Sequence, residues 1–100
     1  MLRGSQMRVL VVLSEPFAVA HVRQRCAGLV NPGVELAVCC VVDERTALQV
    51  SLEHQRRITV ALRRAFGALA ETIAVFIVTN GEGDRVEDCA RAWGATEVRA

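Results

Sequence analysis

Three short, continuously apolar runs divide the chain, and each is rich in β-branched residues. They cover Arg8–Leu13, Val34–Val42 and Thr72–Thr79. Runs of this length without polar alternation are typical of strands that are covered on both faces of a sheet. The pattern therefore predicts three buried strands. Thr96–Ala100 is expected to add either a stub of a fourth strand or a frayed tail.

Apolar residues between these runs recur at helical spacing. Ser14 is expected to cap a first helix, and Asn31-Pro32-Gly33 is expected to end it. Thr46 is expected to cap a long second helix that runs to about Ala70. The predicted core side of the first helix consists of Val19, Val22, Cys26 and Leu29. That of the second consists of Leu48, Leu52, Ile58, Leu62, Phe66 and Leu69.

A third helix is predicted after a glycine-rich turn at Asn80–Asp84, with Asp84 as its cap. Its apolar positions, i, i+3, i+4 and i+7, are Val86, Cys89, Ala90 and Trp93. Strands that alternate with helices indicate an α/β fold. We expect an open, parallel, doubly wound sheet of three to four strands flanked by helices, in one domain over residues 8–100. Residues 1–7 are expected to be a flexible leader.

Composition and charge narrow the possible partners. The chain has 100 residues, 52% of them hydrophobic, and a formal net charge of +1. Such a balance, with no basic block, argues against nucleic acid or an anionic membrane as the main partner, and the longest apolar runs are too short to cross a bilayer. The four cysteines form no Cys-x-x-Cys pair. Reduced thiols in a cytoplasmic protein are the simplest interpretation.

Candidate chemistry is sparse. Ser14 would need a base to act as a nucleophile, and His21 lies about 10 Å further along the predicted helix axis. His54 is expected at the surface, and neither histidine has partners at metal-ligand spacing. The acidic residues of the Asn80–Asp84 turn disfavour a phosphate there, so a turn and helix cap is the better interpretation. We expect no catalytic residues and no metal site.

The second helix carries a basic stripe with few acids on the same helix. Its residues are Arg56, Arg57, Arg63 and Arg64. A solvated face or a protein contact is favoured over an anion site. An acidic protein partner is therefore one possible ligand of this stripe.

Nearly the whole chain resembles the universal stress protein family. Val9–Pro16 lies over the family's first-strand motif, I-L-V-A-x-D-G-S. The segment Pro32–Asp43 is similar to the proline-glycine turn and second strand that ends L-H-V-V-D. Gly83–Thr96 follows the order of a Gly, a small cap and an amphipathic helix that ends in Gly-Ala-Asp. This resemblance implies an adenine-nucleotide alpha-hydrolase-like, or Rossmann-like, fold.

The resemblance also implies a nucleotide site and a homodimer. The implied nucleotide-binding residues are Val11, Leu13, Ser14, Val41, Val42, Gly81 and Gly83. Ser14 replaces the acidic residue of ATP-binding members, and the family's Gly-x2-Gly-x9-Gly-Ser/Thr phosphate segment is not found. We therefore expect weak or absent binding of ATP or another adenine nucleotide. The fifth strand that the family often uses for dimer contact is missing too. We expect dimer contacts at Trp93, Glu97 and Val98 instead.

Two alternatives stay open at this point. One is a nucleotide- or flavin-binding enzyme subunit that resembles the core of electron-transfer flavoproteins. The other is a protein-interaction module with no small-molecule ligand. The sequence would also fit a truncated form of a longer family member.

Overall fold

The computed structural model describes residues 7–15, 17–31, 33–80 and 85–100, which form one four-stranded parallel sheet. Its strands are β1 (Met7–Ser14), β2 (Val34–Val42), β3 (Ala74–Thr79) and β4 (Glu97–Arg99). They lie in the order β3-β2-β1-β4, and every neighbouring pair is parallel. The predicted open parallel sheet is confirmed.

Three helices flank the sheet on both faces. They are α1 (Val19–Cys26), α2 (Leu48–Phe66) and α3 (Arg85–Trp93). Buried residues of α1 and α2 share one core cluster with β1 and β2, whereas α3 packs in a second cluster against the opposite face. The sheet is therefore doubly wound, and the α/β Rossmann-like architecture is confirmed.

The two core clusters follow from the alternation of side chains along each strand. Val9, Val11 and Leu13 of β1 face α1 and α2, whereas Leu10 faces α3. On β2, Val38 and Cys40 belong to the first cluster and Cys39 to the second. Both faces of the central strands are apolar because both are covered by helices.

The helix starts differ from the predictions. Ser14 is the last residue of β1, and α1 begins after Ala18, which makes no side-chain capping hydrogen bond. The residue before α2 is Ala47 rather than Thr46, again with no side-chain cap. Both predicted caps are therefore wrong. The predicted cap at Asp84 lies outside the described residues.

The second helix is shorter than predicted. It ends at Phe66, and Gly67–Thr72 form a 3₁₀ segment instead. Gly67 adopts a φ of +63°, a left-handed conformation that glycine reaches without steric cost. Because the 3₁₀ segment extends to Thr72, β3 begins at Ala74, two residues later than predicted.

Several leucines that were assigned to the core are exposed. Leu48 is 75% exposed, and Leu52 and Leu69 are each 53% exposed. The predicted apolar side of α2 is wider than the part of the sheet that it covers, because β3 is the last strand on that side among the described residues. Ile58 and Leu62, which lie over the sheet, are buried as predicted. On α1, Val19 is also 45% exposed.

The beginning of the domain lies close to the predicted position. β1 starts at Met7, one residue before the predicted domain boundary. Residues 1–6 of the predicted leader lie outside the described residues. None of the helices in the described part of the chain has both the length and the hydropathy needed to cross a membrane.

Candidate functional site

The strand order places the topological switch point between β1 and β4. From β1 the chain proceeds through β2 to β3, and then returns to the other side of β1 as β4. In open α/β sheets, ligands bind outside the carboxyl ends of the strands at such a point. A binding site is therefore expected at the loop that follows β1 and at the end of β4.

Arg25 lies across the two strands at this switch point. One guanidinium nitrogen donates to the carbonyl oxygen of Val12 in β1 at 3.3 Å, and the other donates to that of Arg99 in β4 at 3.0 Å. Sequence reasoning missed this residue, because its role depends on how α1 is placed beside β4. The guanidinium occupies, with two hydrogen bonds of its own, a position where a ligand would meet the sheet.

Three of the predicted nucleotide-binding residues lie inside the packed core. Val11, Leu13 and Val42 are at most 2% exposed, and all three belong to the cluster under α1 and α2. Val41 is half-buried, and Ser14 is exposed at the end of β1. Gly81 and Gly83 lie outside the described residues. The nucleotide-binding role of this set stays a prediction, although three of its members already pack against protein.

The loops at the carboxyl ends of the strands are tied to one another by side chains. Oε1 of Glu15 accepts a hydrogen bond from the backbone N–H of Asp43 at 3.2 Å. Oδ1 of Asn80 accepts one from the N–H of Glu44, also at 3.2 Å. Glu15 thus joins the ends of β1 and β2, and Asn80 joins the ends of β3 and β2. These polar groups are used to connect loops.

His54 takes part in the same group of contacts. Its Nε2 lies 3.4 Å from Oε2 of Glu15, and its ring packs edge-on against Phe17 with centroids 5.0 Å apart. The side chain is 15% exposed, so the predicted surface position is wrong. A signal for this was present, since His54, Ile58 and Leu62 follow one another at intervals of four residues on the buried side of α2. Nδ1 of His54 is buried and has no hydrogen-bond partner among the described residues.

Asp43 is held by its own loop. Its Oδ1 accepts a hydrogen bond from the backbone N–H of Arg45 at 2.8 Å, and the Arg45 side chain lies 3.4 Å away. These hydrogen bonds, the backbone one first, lower the pKa of Asp43. In the described residues, no group of three or more His, Cys, Asp or Glu side chains is placed to hold a metal ion.

The edge formed by β4 carries the residues predicted for dimer contact. Trp93 is half-buried, and the Arg8 guanidinium lies 4.5 Å from the centre of its ring. Val98 is 45% exposed, and Glu97 forms an ion pair with Arg99 along the strand. The dimer role of these three residues stays a prediction. Short edge strands that carry charges resist pairing with other chains.

The opposite edge, at β3, has a different character. An open groove of about 560 Å³ follows it, with Leu48, Leu52 and Gln55 of α2 along one side. None of the described residues that line this groove carries a charge. Nε2 of Gln55 donates to the carbonyl oxygen of Val75 at 2.7 Å, so that carbonyl points away from β2. We refer to this groove, with β3 and its flanking residues of α2, as the β3 edge.

The four cysteines carry free thiols. Burial raises the pKa of Cys26 from 9.0 to about 11 and that of Cys40 to about 12. For Cys39, burial and the neighbouring Cys89 thiol raise the pKa to about 12. Thiols of this kind are poor nucleophiles, because the reactive thiolate is disfavoured. These three cysteines are therefore core residues.

Comparison with known proteins gives no relative. No protein-family model, no curated protein and no solved structure matches this chain. The fold and the contacts described above are thus the basis for any functional statement. The resemblance to universal stress proteins stays a proposal.

Proposed function

We propose that this chain is a small, non-catalytic binding domain, similar to a universal stress protein, that acts as a homodimer. It binds adenine nucleotide weakly or not at all. The proposal includes a cytoplasmic location and a part in stress response, which rest on the free thiols and on the family resemblance. The observation that carries the proposal is the uncharged, unpaired β3 edge.

Backbone geometry at β3 supports pairing with another strand. In a parallel sheet, alternate residues of an edge strand direct their backbone groups away from the neighbouring strand. The Val75 carbonyl is one of these groups, and the Gln55 side chain satisfies it. Ile77 and Thr79 lie two and four residues after Val75, so their backbone groups are directed to the same side of β3. An added strand would find their N–H and carbonyl groups directed toward it.

A second copy of the chain is the occupant that the charges favour. The lining of the β3 edge is uncharged over its described residues, although 23% of the chain is charged. On the α2 side, two such surfaces would meet without burying a charge, which avoids a desolvation cost of several kcal/mol per ion. On the α3 side, Arg85 and Asp88 line a pocket beside Ile77 and Thr79, and both are exposed. An antiparallel pair of β3 strands, related by a two-fold axis, would join two sheets into one and cover Leu48 and Leu52.

The switch point supports weak or absent nucleotide binding. Arg25 donates hydrogen bonds to carbonyl oxygens of β1 and β4. The loop side chains of Glu15 and Asn80 accept hydrogen bonds from backbone N–H groups. A nucleotide would have to displace these contacts and open the core around Val11 and Leu13. We expect isothermal titration calorimetry with ATP, AMP and FMN to show no saturable binding tighter than about 1 mM. Micromolar binding of any of the three would revive the enzyme alternative.

The place of the dimer contact is tested by two matched substitutions. Leu52→Lys places a charge at the β3 edge on an exposed helical position, so folding is expected to be retained. Val98→Lys does the same at the β4 edge. We expect sedimentation equilibrium to show monomers for L52K and dimers for V98K. The reverse pattern would move the interface to β4, where Trp93, Glu97 and Val98 were predicted to form it.

A further inference from the structure

A second surface lies on the other side of α2, where α1 and α2 meet. A shallow groove of about 390 Å³ is lined there by Val19 of α1 and by one side of α2. The residues that α2 contributes are Glu53, Arg56, Arg57, Val60, Ala61 and Arg64. Spacings of three, four, seven, eight and eleven residues from Glu53 place these side chains along one stripe of the helix. We call this surface the arginine groove.

The floor of the arginine groove is apolar and accessible. Val19 is 45% exposed and Val60 is 40% exposed, while Ala61, which also lines the groove, is 6% exposed. Exposed β-branched residues at the centre of a groove with charged sides are suited to the apolar side of an amphipathic helix. The small Ala61 side chain allows close approach to the helix backbone.

The arginines that flank this floor have no acidic partners in the described part of the chain. Arg8, Arg45, Arg91 and Arg99 all lie within 4 Å of a carboxylate, but Arg56, Arg57 and Arg64 form no such ion pair. Arg63 also lies in this exposed basic stripe and forms no such pair. An acidic ligand would give these arginines the carboxylate partners that they lack in the described part of the chain.

We propose that the arginine groove binds an acidic amphipathic helix of a partner protein. Val19, Val60 and Ala61 contact its apolar side, and the arginines pair with carboxylates that flank that side. Glu53 lies at one end, about 16 Å along the helix axis from Arg64. A single basic residue of the partner therefore lies opposite Glu53 and sets the direction of the bound helix. An anionic bilayer is less suited, because it would meet Glu53 with like charge.

This inference goes beyond the proposed homodimer and uses the other side of α2. It is tested with a fluorescein-labelled, three-turn peptide that has leucines at i, i+3 and i+7, flanking glutamates and one N-terminal or C-terminal lysine. We expect its fluorescence anisotropy to rise on addition of the full chain. The affinity is expected to fall with salt, and a scrambled peptide of equal composition is expected not to bind.

Matched variants make the test specific. Arg64→Gln and Arg91→Gln each remove one charge, but only the first lies in the groove. We expect R64Q to weaken peptide binding about tenfold and R91Q to leave it unchanged. The double charge reversal R56E/R64E should abolish binding of the glutamate peptide. The same variant should bind a peptide in which lysines replace the glutamates. Equal effects of R64Q and R91Q on peptide binding would overturn the proposal. So would a chain that sediments with phosphatidylserine vesicles but does not bind the peptide.

Discussion

Oε2 of Glu15, just after β1, lies 3.4 Å from Nε2 of His54 in the second helix. The other oxygen of the same carboxylate accepts the N–H of Asp43, which follows β2. One side chain thus fastens a loop to a helix and to the end of a neighbouring strand. Its role in the molecule is structural, because both oxygens are directed to groups of the chain itself.

We expect Glu15→Ala to destabilise the domain by about 1 kcal/mol, because it leaves the Asp43 N–H without its acceptor and removes the carboxylate beside His54. Glu71→Ala serves as the control, since Glu71 is exposed, and should change stability by less than about 0.5 kcal/mol. Urea denaturation followed by circular dichroism measures both. Equal stability of the two variants would contradict the bridging role of Glu15.

Alkaline pH is predicted to destabilise the domain through its buried thiols. Cys26, Cys39 and Cys40 have pKa values of about 11, 12 and 12 in the folded chain, against 9.0 for an ordinary thiol. Between pH 9 and the higher pKa of each folded-state thiol, the unfolded chain has lost protons that the folded chain keeps. The stabilisation is complete below about pH 9 and decreases as the pH rises toward 12. Each thiol lowers the free energy of unfolding by at most about 1.4 kcal/mol per pH unit.

The dependence of stability on alkaline pH is easy to attribute to the thiols, because the chain contains neither Lys nor Tyr. No side chain other than a cysteine thiol ordinarily titrates between about pH 9 and pH 12 in this chain. We expect the urea concentration at the unfolding midpoint to decrease as the pH is raised from about 9 to about 10.5, and to decrease less steeply in Cys40→Ala. A midpoint that is independent of pH across this range would show that the thiols ionise as readily inside the protein as outside.

The Arg8 guanidinium over Trp93 gives a third prediction. Arg8→Ala removes the cation 4.5 Å from the ring centre and should cost about 1 kcal/mol. Because Trp93 is the sole tryptophan, its fluorescence reports this environment directly. Glu35→Ala is the matched control, since Glu35 contacts Arg8 at 3.5 Å on an exposed ion pair and should leave the emission unchanged. A shift in E35A equal to that in R8A would contradict the ring contact.

Gly67 ends the second helix by its conformation. Its φ of +63° is unfavourable for a residue with a Cβ atom, so Gly67→Ala should destabilise the domain by about 1 kcal/mol. A Cβ atom at Gly33 would meet Oδ1 of Asn31 at 3.4 Å, an ordinary contact distance, so Gly33→Ala is expected to be close to neutral. If G67A proved neutral or stabilising in thermal unfolding, the helix would be continuing past Phe66, as the sequence pattern alone suggests.

Local pattern was sufficient to predict the sheet but not its edges. Apolar runs predicted β2 at its observed bounds, because burial on both faces leaves a local signature. The end of the chain was left open between a fourth-strand stub and a frayed tail, and Glu97–Arg99 form the strand. The exposure of Leu48 and Leu52 depends on where the sheet stops, which no local pattern encodes. For the same reason, the stripe of leucines on α2 was assigned to the core.

The candidate sites were less predictable than the fold. Arg25 and Glu15 act on groups at distant positions in the sequence, so their roles appear only when α1, β4 and the loops are brought together. The exposed stripe of Arg56, Arg57, Arg63 and Arg64 was visible in the sequence, because helical spacing alone defines it. Its apolar floor was not, because Val19 comes from another helix.

The central claim, a binding domain that pairs through its β3 edge, is tested most directly by the molar mass of the full chain in solution. Size-exclusion chromatography with light scattering should give twice the chain mass of 10.9 kDa for the wild type at micromolar concentration. L52K should elute as a folded monomer with an unchanged circular dichroism spectrum. A wild-type mass of 10.9 kDa at every concentration measured would contradict the account.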